Sequence, residues 1–310
     1  MSAQNGVAAS ASVPAGNIYD LGYRHYEGKR HGRWYAIWSL YVESMRGVWG
    51  LGRPMTAKAA PFILAGIYAL PALFQLAFSA EISNEIASGQ APRLFAYDNY
   101  FATVSFFIVL FLVAQAPELV CRDQRYQVLP LYFTRALGRV DYAMAKLAAL
   151  ASALFIVLMV PMVALFIGGV LMKPDTLQAI GDELPTALPA IPTCALAAVS
   201  LASISLALSA FSPRRAYSAI GLIAYFLLME IVPEVIFRVG DRAGWDWADK
   251  LVPLRPTTAI SAATDWFFGK NLQGAEFPRT LGADAYVLAV LVSVVVFVGI
   301  LVFRYRKVAA

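Results

Sequence analysis

Six long apolar runs, separated by polar and charged segments, follow one another along the 310 residues of this chain. A helix that crosses the hydrocarbon core of a bilayer needs about 20 mostly apolar residues, and each run is close to that length. The pattern therefore predicts an all-α integral membrane protein with six transmembrane helices. The predicted spans are 59–80, 101–120, 147–172, 186–211, 216–237 and 285–303.

A shorter amphipathic segment precedes the first span, within residues 34–53. Its apolar side chains recur at the spacing of one helix face, and the opposite face carries Ser39, Glu43 and Arg46. The tryptophans on the apolar stripe favour a helix lying in the headgroup plane, although packing on a soluble partner would produce the same stripe. The stripe consists of Trp34, Ile37, Trp38, Tyr41, Met45, Val48 and Trp49.

Composition agrees with a chain that lies mostly in lipid. It is 59% hydrophobic and only 15% charged, whereas soluble domains carry about 25% charged residues. The first eighteen residues are small and polar, without the basic and apolar regions of a signal peptide. We therefore expect residues 1–33 to form a flexible cytoplasmic arm and residues 54–310 to form the membrane domain.

The distribution of basic residues predicts the orientation. Seventeen of the 25 Lys and Arg residues lie in 1–58, 121–146, 212–215 and 304–310, whereas most acidic residues lie in the other connections. Cytoplasmic segments of membrane proteins are enriched in Lys and Arg, so both termini are expected in the cytoplasm. The net charge of +5 is then a topology signal, and we expect no nucleic-acid partner.

Motifs for chemistry on this chain are missing from the sequence. It contains no phosphate-binding GxxxxGK[ST] loop, no HExxH and no GxSxG. The only histidines are His25 and His31, and the cysteines Cys121 and Cys194 are expected at different depths, unbridged. We therefore predict no catalytic residue, metal or cofactor. Because the spans hold almost no ionisable residues, we expect an external motor, a passive pore or a structural role.

The connection 118–146, between the second and third spans, carries an unusual combination of charge and apolar residues. It begins with charged, helix-forming residues and continues into the apolar run LPLYF, 129–133. An exposed apolar run usually marks a contact, which favours docking to a partner over a loop that dips into the membrane surface. The residues predicted to make this contact are Glu118, Arg122, Asp123, Arg125, Tyr126, Leu129, Pro130 and Leu131.

The order of these features resembles the permeases of ABC-2 type ABC transporters. In that family an elbow helix precedes six spans, a coupling helix follows the second span, and a re-entrant region precedes the last span. The resemblance implies a prokaryotic cytoplasmic-membrane exporter of a hydrophobic or amphipathic substrate. It also implies a second permease subunit, identical or related, and two ATP-binding subunits that hold ATP and Mg.

Residues 230–284 match the family's outer region, because EIVPEVIF is expected to interrupt the fifth span and a tryptophan-rich segment follows. Glu230, Pro233 and Glu234 are interpreted either as an outer gate or as caps of a re-entrant helix. Two other functions stay open on the sequence alone. One is a membrane scaffold that transports nothing, and the other is an ion-coupled carrier or pore.

Overall fold

Ten α-helices and one 3₁₀ helix make up the part of the chain described by the computed structural model. That part comprises residues 31–81, 96–133, 137–171, 173, 175–245, 247–272, 277–278 and 280–307, and it contains no strand. All but the last three residues of the predicted arm 1–33 lie outside it. The α-helices are α1 (Arg33–Val48), α2 (Met55–Glu81), α3 (Tyr100–Arg125), α4 (Leu129–Phe133), α5 (Arg139–Leu171), α6 (Thr176–Ala187), α7 (Ala190–Ser209), α8 (Arg215–Ala243), α9 (Pro256–Phe267) and α10 (Ala283–Arg306).

Six helical segments are long and apolar enough to cross a membrane. Five of them are single helices, α2, α3, α5, α8 and α10, and the other is formed by α6 and α7 together. The predicted all-α class is confirmed for the described residues, and so are six helices with the length and apolarity of membrane spans, as expected of a multi-pass membrane protein. The fourth span differs in detail from the prediction. It begins at Thr176, ten residues early, and consists of two helices separated by Leu188 and Pro189.

Helix α7 forms the centre of the helical assembly. It buries 14 of its 20 residues and packs against α3, α5, α8, α9 and α10. Most of those buried residues are alanine or serine, which allow helix backbones to approach closely in a medium where burial from water supplies no driving force. Some serine hydroxyls bond within the helix itself; for example, Ser203 donates to the Ser200 carbonyl at 2.7 Å.

Helix α8 shows that one sequence expectation is wrong. The segment EIVPEVIF does not interrupt the fifth span, because α8 is continuous from Arg215 to Ala243 with Pro233 buried inside it. Membrane helices tolerate an internal proline when the surroundings satisfy the freed backbone groups. The helix ends instead at Gly244, whose left-handed φ of 72° is typical of a C-terminal glycine. The 3₁₀ helix (Ala248–Leu254) and α9 then follow as two short helices.

Helix α1 packs against α5 and α3 through a buried face of Leu40, Ser44 and Val48. The predicted stripe divides along this contact. Ile37, Tyr41, Met45 and Trp49 are half-buried beside the packed face, whereas Trp34 and Trp38 remain 82% and 62% exposed. The tryptophans at the start of the helix are therefore the part of the stripe that the protein itself leaves uncovered.

The first residue of α1 is fixed to the start of α5. Arg33 donates two hydrogen bonds of 2.7 Å to the Asp141 carboxylate, and these bonds raise the pKa of Arg33. Asp141 also accepts the Gly138 N–H at 3.0 Å, which caps the first turn of α5. The helix predicted to begin at residue 34 is thus tied to the connection predicted to carry the partner contact.

Candidate functional site

The predicted coupling segment begins with a sharp turn at the end of α3. Gln127 adopts a left-handed φ of 53°, and the Val128 N–H donates to the Asp123 carbonyl at 3.2 Å. A non-glycine residue in this region costs about 1–2 kcal/mol, so the surrounding contacts must hold the turn in place. The turn brings α4 directly back towards the bundle. Residues 134–136 of the segment lie outside the described residues.

The five residues of α4 are divided between the core and the surface. Leu129 is buried at 5% exposure, and the rings of Tyr132 and Phe133 lie 5.6 and 6.2 Å from the ring of Tyr142. Burial raises the pKa of Tyr132, with the nearby Asp123 contributing in the same direction. Pro130 and Leu131 are exposed. The predicted apolar contact surface is thus reduced to the outer side of α4, together with the neighbouring exposed Tyr126.

Asp123 lies inside the protein and contacts α5. Its carboxylate accepts the Tyr142 hydroxyl at 2.7 Å and pairs with Lys146 at 2.9 Å, and both partners are buried. The next residue, Gln124, donates to the Ala210 carbonyl at 3.0 Å, just after α7. The Tyr142 ring in turn lies 5.1 Å from that of Tyr305, near the end of α10. Asp123 is thus occupied by internal contacts, and its predicted part in a partner contact stays a prediction.

Glu118 also makes internal ion pairs. One carboxylate oxygen lies 2.5 Å from Arg53, in the hinge after α1, and the other lies 3.0 Å from Arg215, the first residue of α8. The side chain is 21% exposed. Glu118 thus connects three segments that are far apart in sequence. Neither arginine is among the predicted contact residues, because in the sequence both contribute only to the cytoplasmic excess of basic residues.

Arg122 and Arg125 line a cavity of about 370 Å³ at the end of α3. Four arginines and one glutamate line it, together with uncharged side chains. A second cavity of about 410 Å³ adjoins it, shares Arg53 and Arg122, and includes Glu43 and Arg46. The lining of the first cavity consists of Arg53, Pro117, Glu118, Cys121, Arg122, Arg125, Tyr126, Pro213 and Arg215.

In the second half of α8, Glu230 caps the start of α9. It accepts the backbone N–H of Thr257 at 2.6 Å and the Thr257 and Thr258 hydroxyls at 2.7 and 3.1 Å. The side chain of the buried Arg255 lies 3.3 Å from it. A carboxylate at a helix N-terminus is favoured by the helix dipole as well as by these bonds. This geometry is that of a cap.

Glu234 lies one turn further along α8 and binds Arg255 at 2.6 Å as well as Arg238. Arg255 is only 8% exposed, so its charge is compensated by two carboxylates of the neighbouring helix. Pro233 is buried between the two glutamates. Of the three residues predicted as a gate or cap, Glu230 and Glu234 therefore bind the start of α9, whereas Pro233 is buried within α8.

Among the described residues no group of three His, Cys, Asp or Glu side chains is arranged to hold a metal ion. Cys121 and Cys194 are both buried and unbridged. The two charged clusters contact α8 at its first residue, Arg215, and in its second half, at Glu230 and Glu234.

Residues 62–309 match the model of a protein family that is described as a protein of unknown function (DUF2705). The match begins within α2 and runs past the end of α10, so it includes Glu118, Arg215, Glu230 and Glu234 but excludes α1 and Arg53. No curated protein matches the chain significantly.

Proposed function

This chain belongs to the DUF2705 family of unknown function, and we propose that it is the permease subunit of an ABC-2 type exporter. In this proposal two permease chains, identical or related, lie in a prokaryotic cytoplasmic membrane with both termini in the cytoplasm. Two separate ATP-binding subunits bind ATP and Mg and drive the movement of a hydrophobic or amphipathic substrate.

The observation that carries the proposal is the division of α4 between core and surface. Leu131 is 66% exposed beside the exposed Pro130, and Tyr126 adds another exposed ring. The opposite side of the same helix is anchored by Leu129 and by the ring contacts to Tyr142. A short helix with an apolar outer face and an anchored inner face suits a docking point that transmits displacement.

The contacts behind α4 supply a path for that displacement. Tyr142 lies on α5, bonds to Asp123 on α3 and packs on Tyr305 on α10. A force on α4 would therefore act on three spanning helices through side chains that are already in contact. In the proposal, closure of the ATP-binding subunits moves α4, and these helices carry the movement into the membrane.

Two further elements support the ABC-2 reading. The exposed Trp34 and Trp38 suit the proposed elbow role of α1, in which the helix lies along the headgroups. In the proposal, the 3₁₀ helix and α9 lie on the outer side and correspond to the family's re-entrant region. The contacts of Glu230 and Glu234 would hold them as a closure over the substrate path.

The test is co-purification with a P-loop ATPase from the native membrane, compared between the unaltered chain and Leu131→Asp. A carboxylate on the exposed face of α4 would be buried without a partner on docking, so we expect at least a tenfold loss of associated ATPase. Leu129 is unsuitable for this test, because its substitution would disturb the core. Leu177→Asp is the matched control, since Leu177 is 83% exposed and lies in the proposed outer region.

Both variants must insert and elute as the unaltered chain does. Equal ATPase association by Leu131→Asp and the unaltered chain would refute docking through α4. If the unaltered chain carries no P-loop ATPase, the exporter proposal fails, and a scaffold or an ion-coupled carrier becomes the better explanation.

A further inference from the structure

The arginine-lined cavity at the end of α3 has more positive charge than the described residues neutralise. Glu118 is shared between Arg53 and Arg215. Arg122 and Arg125 form no ion pair with any carboxylate of the described residues. Within the described residues, the lining therefore includes two arginines without an ion-pair partner, beside two arginines that share the carboxylate of Glu118.

The adjoining cavity does not remove this excess. It adds one arginine, Arg46, and one acid, Glu43, to the shared Arg53 and Arg122. Glu43 is exposed and makes no ion pair within the described part of the chain. Taken together, the two cavities are lined by five arginines and two glutamates, and the acid with the closest contacts is already bound to two arginines.

The cavity lies at the polar edge of the membrane-spanning region. The apolar run of α3 ends at Cys121, directly before Arg122, and α8 begins its apolar run directly after Arg215. Pro117 and Pro213 form an uncharged part of the lining. Arginines immediately beside the ends of spanning helices lie at the depth of lipid headgroups, where anionic lipids attract them.

We propose that this cavity binds the phosphate of an anionic phospholipid headgroup. Arg122 and Arg125 would donate to the phosphate oxygens, because a guanidinium presents paired donors that match a phosphate. Glu118 holds Arg53 and Arg215 on either side and so keeps the cavity open and preorganised. Its volume of about 370 Å³ falls within the range of about 300–1,000 Å³ typical of ligand pockets.

A lipid suits this recess better than a docked protein does. The cavity is concave and borders the hinge between α1 and the first span, whereas the exposed apolar face that suits a protein is on α4. The proposal therefore separates Arg122 and Arg125 from the contact surface formed by Tyr126, Pro130 and Leu131. It does not depend on export or on an ATP-binding subunit.

The experiment uses the purified full chain in neutral detergent, equilibrated with equal amounts of phosphatidylglycerol and phosphatidylcholine. Native mass spectrometry counts the lipids retained by each protein molecule. For the unaltered chain we expect preferential retention of phosphatidylglycerol. In the double variant Arg122→Gln/Arg125→Gln we expect that preference to fall by at least tenfold, since each arginine that donates to the phosphate contributes a charge-assisted hydrogen bond.

The matched control is Arg306→Gln/Lys307→Gln, which removes the same charge from exposed positions just after the last span. It should retain the preference of the unaltered chain. Arg122→Lys/Arg125→Lys keeps the charge without the paired donors and should show an intermediate preference. Thermal unfolding of all variants checks that the fold is retained, as expected for exposed side chains.

Competition with inorganic phosphate and glycerol 1-phosphate distinguishes a lipid from a free phosphate. We expect neither to displace phosphatidylglycerol at equal concentration. Displacement by either one, or retained preference in the Gln variant, would overturn the proposal. Loss of a co-purified ATPase from the Gln variant with unchanged lipid preference would also overturn it, because the arginines would then serve a protein partner.

Discussion

The buried ion pair between Asp123 and Lys146 offers the sharpest test of the internal contacts behind α4. Its nitrogen and oxygen lie 2.9 Å apart, and the two side chains are only 15% and 9% exposed. Lys146→Met would leave the Asp123 carboxylate with the hydroxyl of Tyr142 as its remaining close partner. Asp123→Asn would leave the ammonium group facing the Tyr142 ring, whose centre lies 5.4 Å away.

Removing one partner of a buried pair costs about 3–5 kcal/mol, because the other charge stays buried without compensation. We expect the lower end for Lys146→Met, about 3 kcal/mol, since one strong hydrogen bond to the carboxylate remains. For a chain of this size, that loss should lower the unfolding midpoint by roughly 6 °C. The double variant Asp123→Asn/Lys146→Met removes both charges and should lose only about 1 kcal/mol.

Thermal unfolding in detergent, followed with a thiol-reactive dye, measures these changes. Cys121 and Cys194 are both buried, so the dye reports the moment at which the helices separate. A coupling of at least about 2 kcal/mol between the two substitutions is expected for residues in direct contact. If the double variant melts as low as the sum of the single effects predicts, the pair does not hold α3 on α5 and the reasoning fails.

Two further predictions concern packing and topology. Gly240→Ala would place a new Cβ 2.5 Å from the Cβ of Ala248, so the 3₁₀ helix must shift, and we expect the free energy of unfolding to fall by about 1–3 kcal/mol. The control Gly221→Ala on the same helix meets open space, so thermal unfolding should show it to be neutral or slightly stabilising. Cysteine placed at Leu131 should react with a membrane-impermeant maleimide only when the cytoplasmic face is accessible, whereas cysteine at Leu177 should react in intact cells. Labelling of both positions from the same side would contradict the proposed orientation.

The spans could be predicted from sequence because length and apolarity alone decide which helices can cross a membrane. The continuity of α8 could not be predicted in the same way. A proline and two glutamates in EIVPEVIF suggest a break, yet Glu230 and Glu234 find partners on Arg255 and Thr257, more than 20 residues further along. Those partners are visible only once α9 is packed on α8.

The contact surface on α4 shows a second limit of sequence reading. Leu129 and Leu131 are two residues apart in one apolar run, and nothing in the run says which of them is buried. The buried side of α4 is selected by packing against the core that contains Tyr142, which belongs to the next helix. The pairing of Asp123 with Lys146 likewise could not be predicted from the sequence, because the two residues lie on different helices that must first pack together.

The crowded position of α7 has a consequence for how this sequence can diverge. Its alanines and serines contact five other helices, so a larger side chain there would displace several neighbours at once. Substitutions on this helix should be confined to exchanges among glycine, alanine and serine, while the exposed apolar residues of α2, α8 and α10 can be replaced by many others. Among related sequences, we therefore expect the spacing of small residues along α7 to be conserved more strictly than the sequences of the loops.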